Sequence, residues 1–308
     1  MKVALIGGTG FVGGYLVDEL IAQNHPPVLL VRSGSEAKVR QRDQCALIAG
    51  DVKDPAAVRN TLQGCDAVIY NIGLLREFKS QGITFAAMQF EGAARTIDLA
   101  VELGVKRFLL MSANGVKAQG TPYQTTKYRA EECLKRTDLE WTIFRPSVIF
   151  GDPRGAMEFC TQLYKQMIKP AVPAPLFYDG LLPVSAGSFG LSPIHIKDVA
   201  AILVKSLTMP EAVHKTFGLC GPQAFEWKAI IKILAKTTGR RKLTLPAPAF
   251  LIKSAAALLD GFEFFPVTRD QLTMLLEGNT CDSSEVFKLF GITPIPFNEE
   301  SLSYLRGQ

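Results

Sequence analysis

Histidine and tryptophan are scarce in this chain, and it has no long apolar run. Its 308 residues include three histidines and two tryptophans. His25, His195 and His214 lie far apart, so the sequence offers no ligand set at the close spacing that structural zinc sites use. Nor does any stretch reach the roughly 20 uninterrupted apolar residues that a membrane span needs. We therefore expect no metal site and no membrane-spanning segment.

Cysteine spacing and net charge exclude further classes of protein. No C-x-x-C pair occurs, and a chain of this size can form a core without cross-links. The glycine-rich N-terminus is unlike a signal peptide, which indicates a cytoplasmic protein and leaves a peripheral association with a membrane open. A net charge of +5 without a basic tract argues against nucleic acid as a partner. We expect reduced thiols at all six cysteines: Cys45, Cys65, Cys133, Cys160, Cys220 and Cys281.

The first half of the chain alternates strand-like apolar runs with helical patterns. The runs are KVALIGG, PVLLVR, CALIAGDV, DAVIYNIG, RFLLMSANG and WTIFRPSVIF. They are rich in Val, Ile, Leu and Phe, which is typical of parallel strands buried on both faces. Helices are predicted over 11–23, 54–63, 84–103 and 122–136. This alternation predicts an α/β fold with a doubly wound parallel sheet.

Composition changes after residue 150. Prolines and glycines concentrate between residues 170 and 191, which predicts a loop or a short hairpin. We expect a first domain over 1–150 and a smaller, mostly helical lobe over 151–308 that binds a substrate or partner. Residues 191–221 have a strand, helix and strand pattern and are expected to return to the first domain.

A glycine-rich turn joins the first predicted strand to the first predicted helix. The stretch VALIGGTGFVGG has G-x-x-G-x-x-G spacing. Glycines there allow a sharp turn, a close approach of the backbone to a pyrophosphate and tight packing of helix on strand. The N-terminus of the helix also attracts phosphate. The alternative is a tight turn with a purely structural role. We assign to a dinucleotide the residues Gly7, Thr9, Gly10, Phe11, Val12 and Gly13.

The end of the second predicted strand bears on the choice of cofactor. NAD-binding folds usually carry an acidic residue there, which accepts hydrogen bonds from ribose hydroxyls, and Arg32 stands in its place. A guanidinium can bind a 2′-phosphate, with a further hydroxyl from Ser33 or Ser35. This favours NADPH over NADH. Alternatively, Arg32 stacks on adenine or faces solvent, and the protein does not distinguish the two.

The next two predicted strands also end in candidate cofactor contacts. Asp51 and Val52 are placed to meet adenine, and Asn71 and Gly73 line the end of the following strand. All four are also ordinary residues for the end of a strand. Both interpretations stay open.

The stretch TPYQTTKYRAEE predicts the start of a helix with a tyrosine and a lysine on one face. Thr121 and Gln124 have capping-box spacing, and Pro122 suits the first helical position. Tyr123 and Lys127 are four residues apart, which is about one helical turn. An ammonium near a phenol favours the phenolate and lowers its pKa, so the pair could transfer protons near neutral pH. In the structural alternative, Lys127 extends from the packed face to water.

Several motifs together resemble the extended short-chain dehydrogenase/reductase superfamily. They are GGTGFVGG, GVKRFLLMSANGV, YQTTKYRAEE, TIFRPSVIFG, SPIHIKDVA and PVTRDQLTMLLEGN. The chain is most similar to an atypical group that contains the dehydrogenase-like accessory subunit of respiratory complex I and bacterial epimerase/dehydratase-like relatives. The resemblance implies a Rossmann-like NAD(P)-binding domain, with Tyr123 and Lys127 in active-site positions. It also implies nicotinamide packed near Pro146, Ser147 and Val148.

Two departures from the superfamily pattern leave three functions open. Ser112, the candidate for holding the substrate carbonyl, is only eleven residues before Tyr123, and Gln89 stands where the superfamily has an asparagine. The Tyr123 and Lys127 pair favours an NADPH-dependent oxidoreductase acting on a carbonyl or a quinone-like small molecule. The departures favour a nucleotide-binding assembly or structural protein without turnover. A nucleotide-sugar epimerase or dehydratase would hold NAD tightly, and Arg32 argues against that.

An apolar stretch over 246–265 could serve the second lobe in two ways. It is interrupted by charges and too short to cross a bilayer. The simpler interpretation is a helix packed on the first domain. The alternative is a pocket for a lipophilic substrate, or a contact with a membrane surface or a protein complex. His195 could face the cleft or be a hinge-strand residue. The pocket rim would be formed by Phe262, Phe264, Phe265 and Pro266.

Overall fold

A computed structural model describes residues 1–74, 76–252 and 268–306 of the chain. The chain forms two compact units. Unit 1 comprises Met1–Pro146, Ile196–Leu219 and Glu285–Ile292. Unit 2 comprises Ser147–His195, Cys220–Ser284 and Thr293–Gln308.

Strands and helices alternate along most of unit 1. The strands are β1 (Val3–Ile6), β2 (Pro27–Val31), β3 (Ala46–Ala49), β4 (Ala67–Tyr70), β5 (Arg107–Met111), β6 (Glu140–Pro146), β7 (Ile149–Phe150), β8 (Ala174–Tyr178), β9 (Gly190–Leu191), β10 (Ile194–His195), β11 (Lys215–Leu219), β12 (Phe225–Glu226) and β13 (Thr244–Pro248). The helices are α1 (Phe11–Ala22), α2 (Pro55–Leu62), α3 (Gly92–Glu102), α4 (Pro122–Lys135), α5 (Phe159–Leu163), α6 (Ile196–Ser206), α7 (Trp227–Thr237), α8 (Arg269–Leu276) and α9 (Ser284–Phe290).

Seven parallel strands of unit 1 form one sheet in the order β3-β2-β1-β4-β5-β6-β11. Every residue of β1, β2, β4 and β5 is buried, as expected for strands covered on both faces. The strand order reverses direction between β1 and β4. In such sheets, ligands bind beyond the carboxyl ends of the strands at this reversal. The prediction of a Rossmann-like, doubly wound fold is confirmed.

The predicted helices of unit 1 are confirmed to within a few residues, with one internal difference. Residues 84–103 form a π-helical segment, Ala86–Glu91, followed by α3. A π-helical turn frees backbone carbonyls for other donors. One of them, the carbonyl of Met88, accepts a hydrogen bond from the Tyr70 hydroxyl at 2.5 Å. The departure from a regular helix therefore coincides with a bond to the end of β4.

Unit 2 has its own core and a two-stranded parallel sheet. Buried aromatic side chains of this core include Phe150, Tyr164, Phe177 and Trp227. Strands β8 and β13 pair in parallel, and the Trp227 indole donates a hydrogen bond to the carbonyl of Pro175 at 2.9 Å.

The prediction of reduced thiols is wrong for one pair of cysteines in unit 2. Cys220 and Cys281 form a disulfide, with a Cα–Cα distance of 5.6 Å. Their separation of 61 residues carries no spacing signal. The fold brings them together, because Ser283 accepts a hydrogen bond from the backbone N–H of Cys220 at 2.8 Å. The other four cysteines are free thiols.

Helices long and apolar enough to cross a membrane are not found in the described part of the chain. The same described residues contain no group of three or more His, Cys, Asp or Glu side chains that could hold a metal ion.

Candidate cofactor and active site

The glycine-rich turn after β1 needs glycine at two positions for reasons within the protein. Gly7 has φ of +96°, and a Cβ on it would lie 3.0 Å from the carbonyl oxygen of Asn71. A Cβ on Gly13 would lie 2.2 Å from the carbonyl oxygen of Gly7. Gly10 differs, because the nearest atom to its Cβ position is 3.7 Å away. No contact within the described protein requires glycine at Gly10, and its open side lies at the start of α1.

The N-terminus of α1 is prepared for an anion. Gly10 is the N-cap residue and no side chain caps the helix. The N–H groups of the first turn have no partner within a helix, and the helix dipole places partial positive charge there. The open space at Gly10 lets a phosphate approach these groups closely. The turn therefore fits the pyrophosphate of a dinucleotide.

Arg32 and Ser33 follow β2 directly and are exposed. The guanidinium of Arg32 forms no hydrogen bond or ion pair with the described residues. The backbone N–H of Ser35 donates to the carbonyl of Arg32 at 2.9 Å, which closes a turn. An arginine held on a turn at the carboxyl edge of the sheet is available to an anionic ligand.

The residues that follow β3 and β4 divide into structural and accessible groups. Val52 is buried and its carbonyl accepts a hydrogen bond from Arg95 at 3.0 Å, whereas Asp51 caps the backbone N–H of Lys53 at 2.9 Å. The Asn71 side chain donates to the carbonyl of Gly7 at 3.4 Å and so ties the end of β4 to the glycine turn.

Lys127 on α4 is buried, with 2% of its surface exposed. Its ammonium donates to the carbonyls of Ile72 at 2.8 Å and Met111 at 2.6 Å, beyond β4 and at the end of β5. A lysine ammonium has three N–H groups, so one remains for a ligand. Burial lowers the pKa of Lys127 to about 7, opposed by the charge of Glu131. The alternative in which this lysine reaches water is therefore wrong.

Gly73 lies beside this ammonium. A Cβ on Gly73 would be 4.0 Å from the Nζ of Lys127. The backbone after β4 thus runs past the remaining N–H group of the lysine.

Tyr123 is half-buried, one helical turn before Lys127. Its ring packs edge-on against Phe85 at 5.7 Å between centroids. Its hydroxyl has no hydrogen-bond partner among the described residues. Burial raises the pKa of Tyr123 to about 12, so the predicted lowering by Lys127 is wrong for the protein without cofactor. The phenol is a proton donor in this state.

Ser112 has its hydroxyl engaged within the protein. It is buried and donates to the Oε1 of Glu131 at 2.5 Å. Arg145 holds the same carboxylate through its Nε at 2.9 Å and its second guanidinium nitrogen at 2.5 Å. Sequence reasoning missed this buried pair. Its one signal is the position of Glu131, which is one helical turn beyond Lys127.

Gln89 takes part in a second buried link to α4. Its side-chain amide donates to the carbonyl of Leu74 at 3.1 Å and accepts from the Thr126 hydroxyl at 3.0 Å. Gln89 therefore connects the chain after β4 to the helix that carries Tyr123.

The three residues predicted near nicotinamide fall at the boundary between the units along the chain. Pro146 ends β6 in unit 1, and its carbonyl accepts from the Asn114 N–H at 2.8 Å. In unit 2, the Ser147 hydroxyl donates to the Ser192 carbonyl, and the Val148 carbonyl accepts from Ile194 at 3.0 Å.

His195 and the predicted pocket rim belong to the second lobe. The His195 imidazole is buried in unit 2 and packs edge-on to Phe150 at 5.1 Å. This contact agrees with the hinge-strand interpretation. Phe262, Phe264, Phe265 and Pro266 lie outside the described residues.

Comparison with known proteins agrees with this site. The sequence profile of a family described as NAD(P)H-binding matches residues 7–168. The chain is 26% identical to a ceramide reductase of Caulobacter vibrioides, over 84% of this chain and 78% of that protein. It is 22% identical to the mitochondrial NADH-ubiquinone oxidoreductase 40 kDa subunit of Neurospora crassa, over 98% of this chain and 78% of that protein.

A solved structure of UDP-glucose 4-epimerase from Thermus thermophilus with NAD has the same fold. Its TM-score is 0.74, over 99% of this chain and 97% of that chain, at 14% identity. An identity this low shows the fold alone. The relatives and this structure together confirm the resemblance to the short-chain dehydrogenase/reductase superfamily.

Proposed function

Because the chain belongs to the NAD(P)H-binding family, we propose that it is an NADPH-dependent oxidoreductase that reduces a carbonyl or quinone-like small molecule. One observation carries the proposal. Lys127 is buried, and carbonyls beyond β4 and at the end of β5 hold its ammonium, one helical turn from a tyrosine hydroxyl that has no described partner. A structural lysine would rather reach water or pair with a carboxylate.

Each group of the site has a role in this reaction. When bound, NADPH supplies a hydride. The first turn of α1 binds the pyrophosphate, and the remaining N–H of Lys127 donates to a ribose hydroxyl. Tyr123 donates the proton that the substrate oxygen needs once the hydride reaches carbon. Its phenolate is then reprotonated from solvent. The negative charge of the dinucleotide favours the protonated form of Lys127, which in turn stabilises the phenolate of Tyr123.

The preference for NADPH follows from Arg32. The guanidinium is exposed on the turn after β2 and has no described partner that would compete with a phosphate. A charge-assisted pair with the 2′-phosphate is absent for NADH.

Turnover is the direct test. We would follow NADPH oxidation with a panel of carbonyls and quinones, including lipid-derived carbonyls because of the likeness to a ceramide reductase. Tyr123→Phe should lower kcat by about 100- to 10,000-fold while NADPH affinity is retained, which is the range for loss of a general acid. Tyr128→Phe, on the same helix, should leave kcat unchanged. Equal kcat values for wild type and Tyr123→Phe would refute the role of Tyr123.

A second candidate is a nucleotide-binding subunit without turnover, in a respiratory or other complex. The engagement of Ser112 by Glu131 favours it, because the hydroxyl expected to hold the substrate is then used inside the protein. The likeness to a subunit of NADH-ubiquinone oxidoreductase also supports it. Tight NADPH binding without oxidation by any member of the panel would favour this candidate.

A further inference from the structure

Unit 2 exposes a concentrated set of large apolar side chains. Eight of the twelve exposed large hydrophobic residues in the described part of the chain lie within 172–184 and 243–251, and each is at least 53% exposed. Clusters of this kind are uncommon on the surface of a monomeric protein and mark contact sites. We call them the apolar strip: Val172, Leu181, Leu182, Val184, Leu243, Leu245, Phe250 and Leu251.

The pairing of β8 with β13 brings these residues together. Tyr178 lies opposite Pro248 at the carboxyl ends of the two parallel strands. The turn over 179–186 and the helical residues 249–252 therefore leave the sheet at the same end. At the other end, the carbonyl of Leu243 accepts from the Ala174 N–H at 2.8 Å, close to Val172 in the chain. The apolar strip thus follows the strands over roughly 17 Å, at about 3.3 Å per residue.

The turn after β8 carries the most exposed members. Leu181, Leu182 and Val184 are 91%, 71% and 90% exposed. The turn is attached firmly to its strand, because the Gly187 N–H donates to the carbonyl of Phe177 at 2.9 Å. Three aliphatic side chains are therefore held outward on a fixed turn. Such a projection suits insertion into a soft apolar layer better than packing on a rigid protein surface.

Cations collect at the opposite end of the same sheet. The Lys242 ammonium donates to the carbonyl of Pro170 at 2.5 Å, which anchors it beside the start of β8. The charged groups of Lys169 and Arg240 both face the ring of Tyr164, at 6.0 and 5.9 Å from its centroid. We call this group the basic end: Lys169, Arg240, Arg241 and Lys242.

The local charge is strongly unbalanced. Residues 164–186 and 239–252 contain five Lys or Arg residues and one acid, Asp179, for a net charge of +4. The whole chain has a net charge of +5. These two segments thus hold most of the excess positive charge next to the apolar strip.

We propose that the apolar strip and the basic end dock unit 2 on an anionic membrane surface. Leu181, Leu182 and Val184 would enter the boundary between headgroups and acyl chains, while the basic end binds lipid phosphates. A second copy docked through the same surface would oppose two positive ends, which is unfavourable. The docking is independent of the proposed reaction. It uses none of residues 253–265, which lie outside the described residues.

Sedimentation of the full chain with vesicles tests this docking. The vesicles are phosphatidylcholine alone or phosphatidylcholine mixed with phosphatidylglycerol. We expect strong binding to the anionic vesicles, weaker binding to the neutral ones, and loss of the difference at high salt. Leu181→Ser with Leu182→Ser should lower vesicle affinity at least about tenfold. Arg240→Glu with Arg241→Glu should lower it about tenfold or more for the anionic vesicles.

Matched pairs in unit 1 serve as controls. Val101→Ser with Leu289→Ser removes exposed apolar groups, and Lys106→Glu with Lys215→Glu removes exposed cations. Both pairs should bind vesicles like the wild type, and all variants should keep the wild-type thermal melting curve. Absence of wild-type binding to either vesicle overturns the proposal, as does equal binding by every variant. Self-association that the strip variants abolish, without vesicle binding, would assign the surface to a second copy.

Discussion

At the scale of single residues, Arg32 is the sharpest test of cofactor choice. Arg32→Ala should weaken NADPH binding about ten- to hundredfold and leave NADH binding nearly unchanged, because a charge-assisted hydrogen bond contributes about 1.5 to 3 kcal/mol. Titration of nicotinamide fluorescence measures both affinities. Arg136→Ala, an exposed arginine at the end of α4, is the control and should change neither. Equal losses for the two nucleotides would mean that Arg32 does not contact the 2′-phosphate.

Lys127 makes a second prediction, because its pKa falls from 10.5 to about 7 on burial. Between these pH values the unfolded chain binds one proton more at this residue than the folded protein does. The free energy of unfolding therefore rises with pH in this window, by up to about 1.4 kcal/mol per pH unit, and the full penalty applies below pH 7.

Urea unfolding of the protein without cofactor measures this effect between pH 7 and 10. Wild type should gain stability over Lys127→Met as the pH rises, because methionine does not titrate. Lys106→Met replaces an exposed lysine and should run parallel to the wild type. Parallel curves for wild type and Lys127→Met would show that the buried ammonium keeps its ordinary pKa.

At the scale of elements, what could be predicted is what neighbouring residues determine. Thr121 and Gln124 form the expected capping box, with both of its hydrogen bonds present, and α4 begins at Pro122. The turn through Gly7 and Gly13 follows as directly, since its strand and helix are contiguous with it. The apolar runs predicted the strands because burial on both faces leaves no other composition.

What could not be predicted depends on contacts between distant elements. Arg145 on β6 reaches Glu131 on α4, and Glu131 in turn accepts from Ser112 after β5. No local pattern says that a helical glutamate next to two exposed-looking charges is fully buried. The π-helical segment before α3 is likewise tied to Tyr70, eighteen residues before the carbonyl that it contacts. The role of Ser112 therefore depended on partners that the sequence does not bring together.

At the scale of the whole molecule, the disulfide is the longest-range link that the sequence failed to predict. It closes a chain segment of 61 residues within unit 2. Restricting the unfolded chain over such a loop stabilises the folded state by about 4 kcal/mol in the chain-entropy account. Ser283 bonds to the N–H of Cys220, so the two cysteines are held together by backbone contacts as well.

Thiol titration and unfolding test this link. In protein purified without reductant and then denatured, four of the six cysteines should react as thiols. Cys281→Ser should lower the free energy of unfolding by up to about 4 kcal/mol, and a reductant should lower it only in the wild type. Cys45→Ser replaces a free cysteine and should behave like the wild type in both conditions. Six reactive thiols would exclude the disulfide, and the stability of unit 2 would then depend on its buried aromatic core alone.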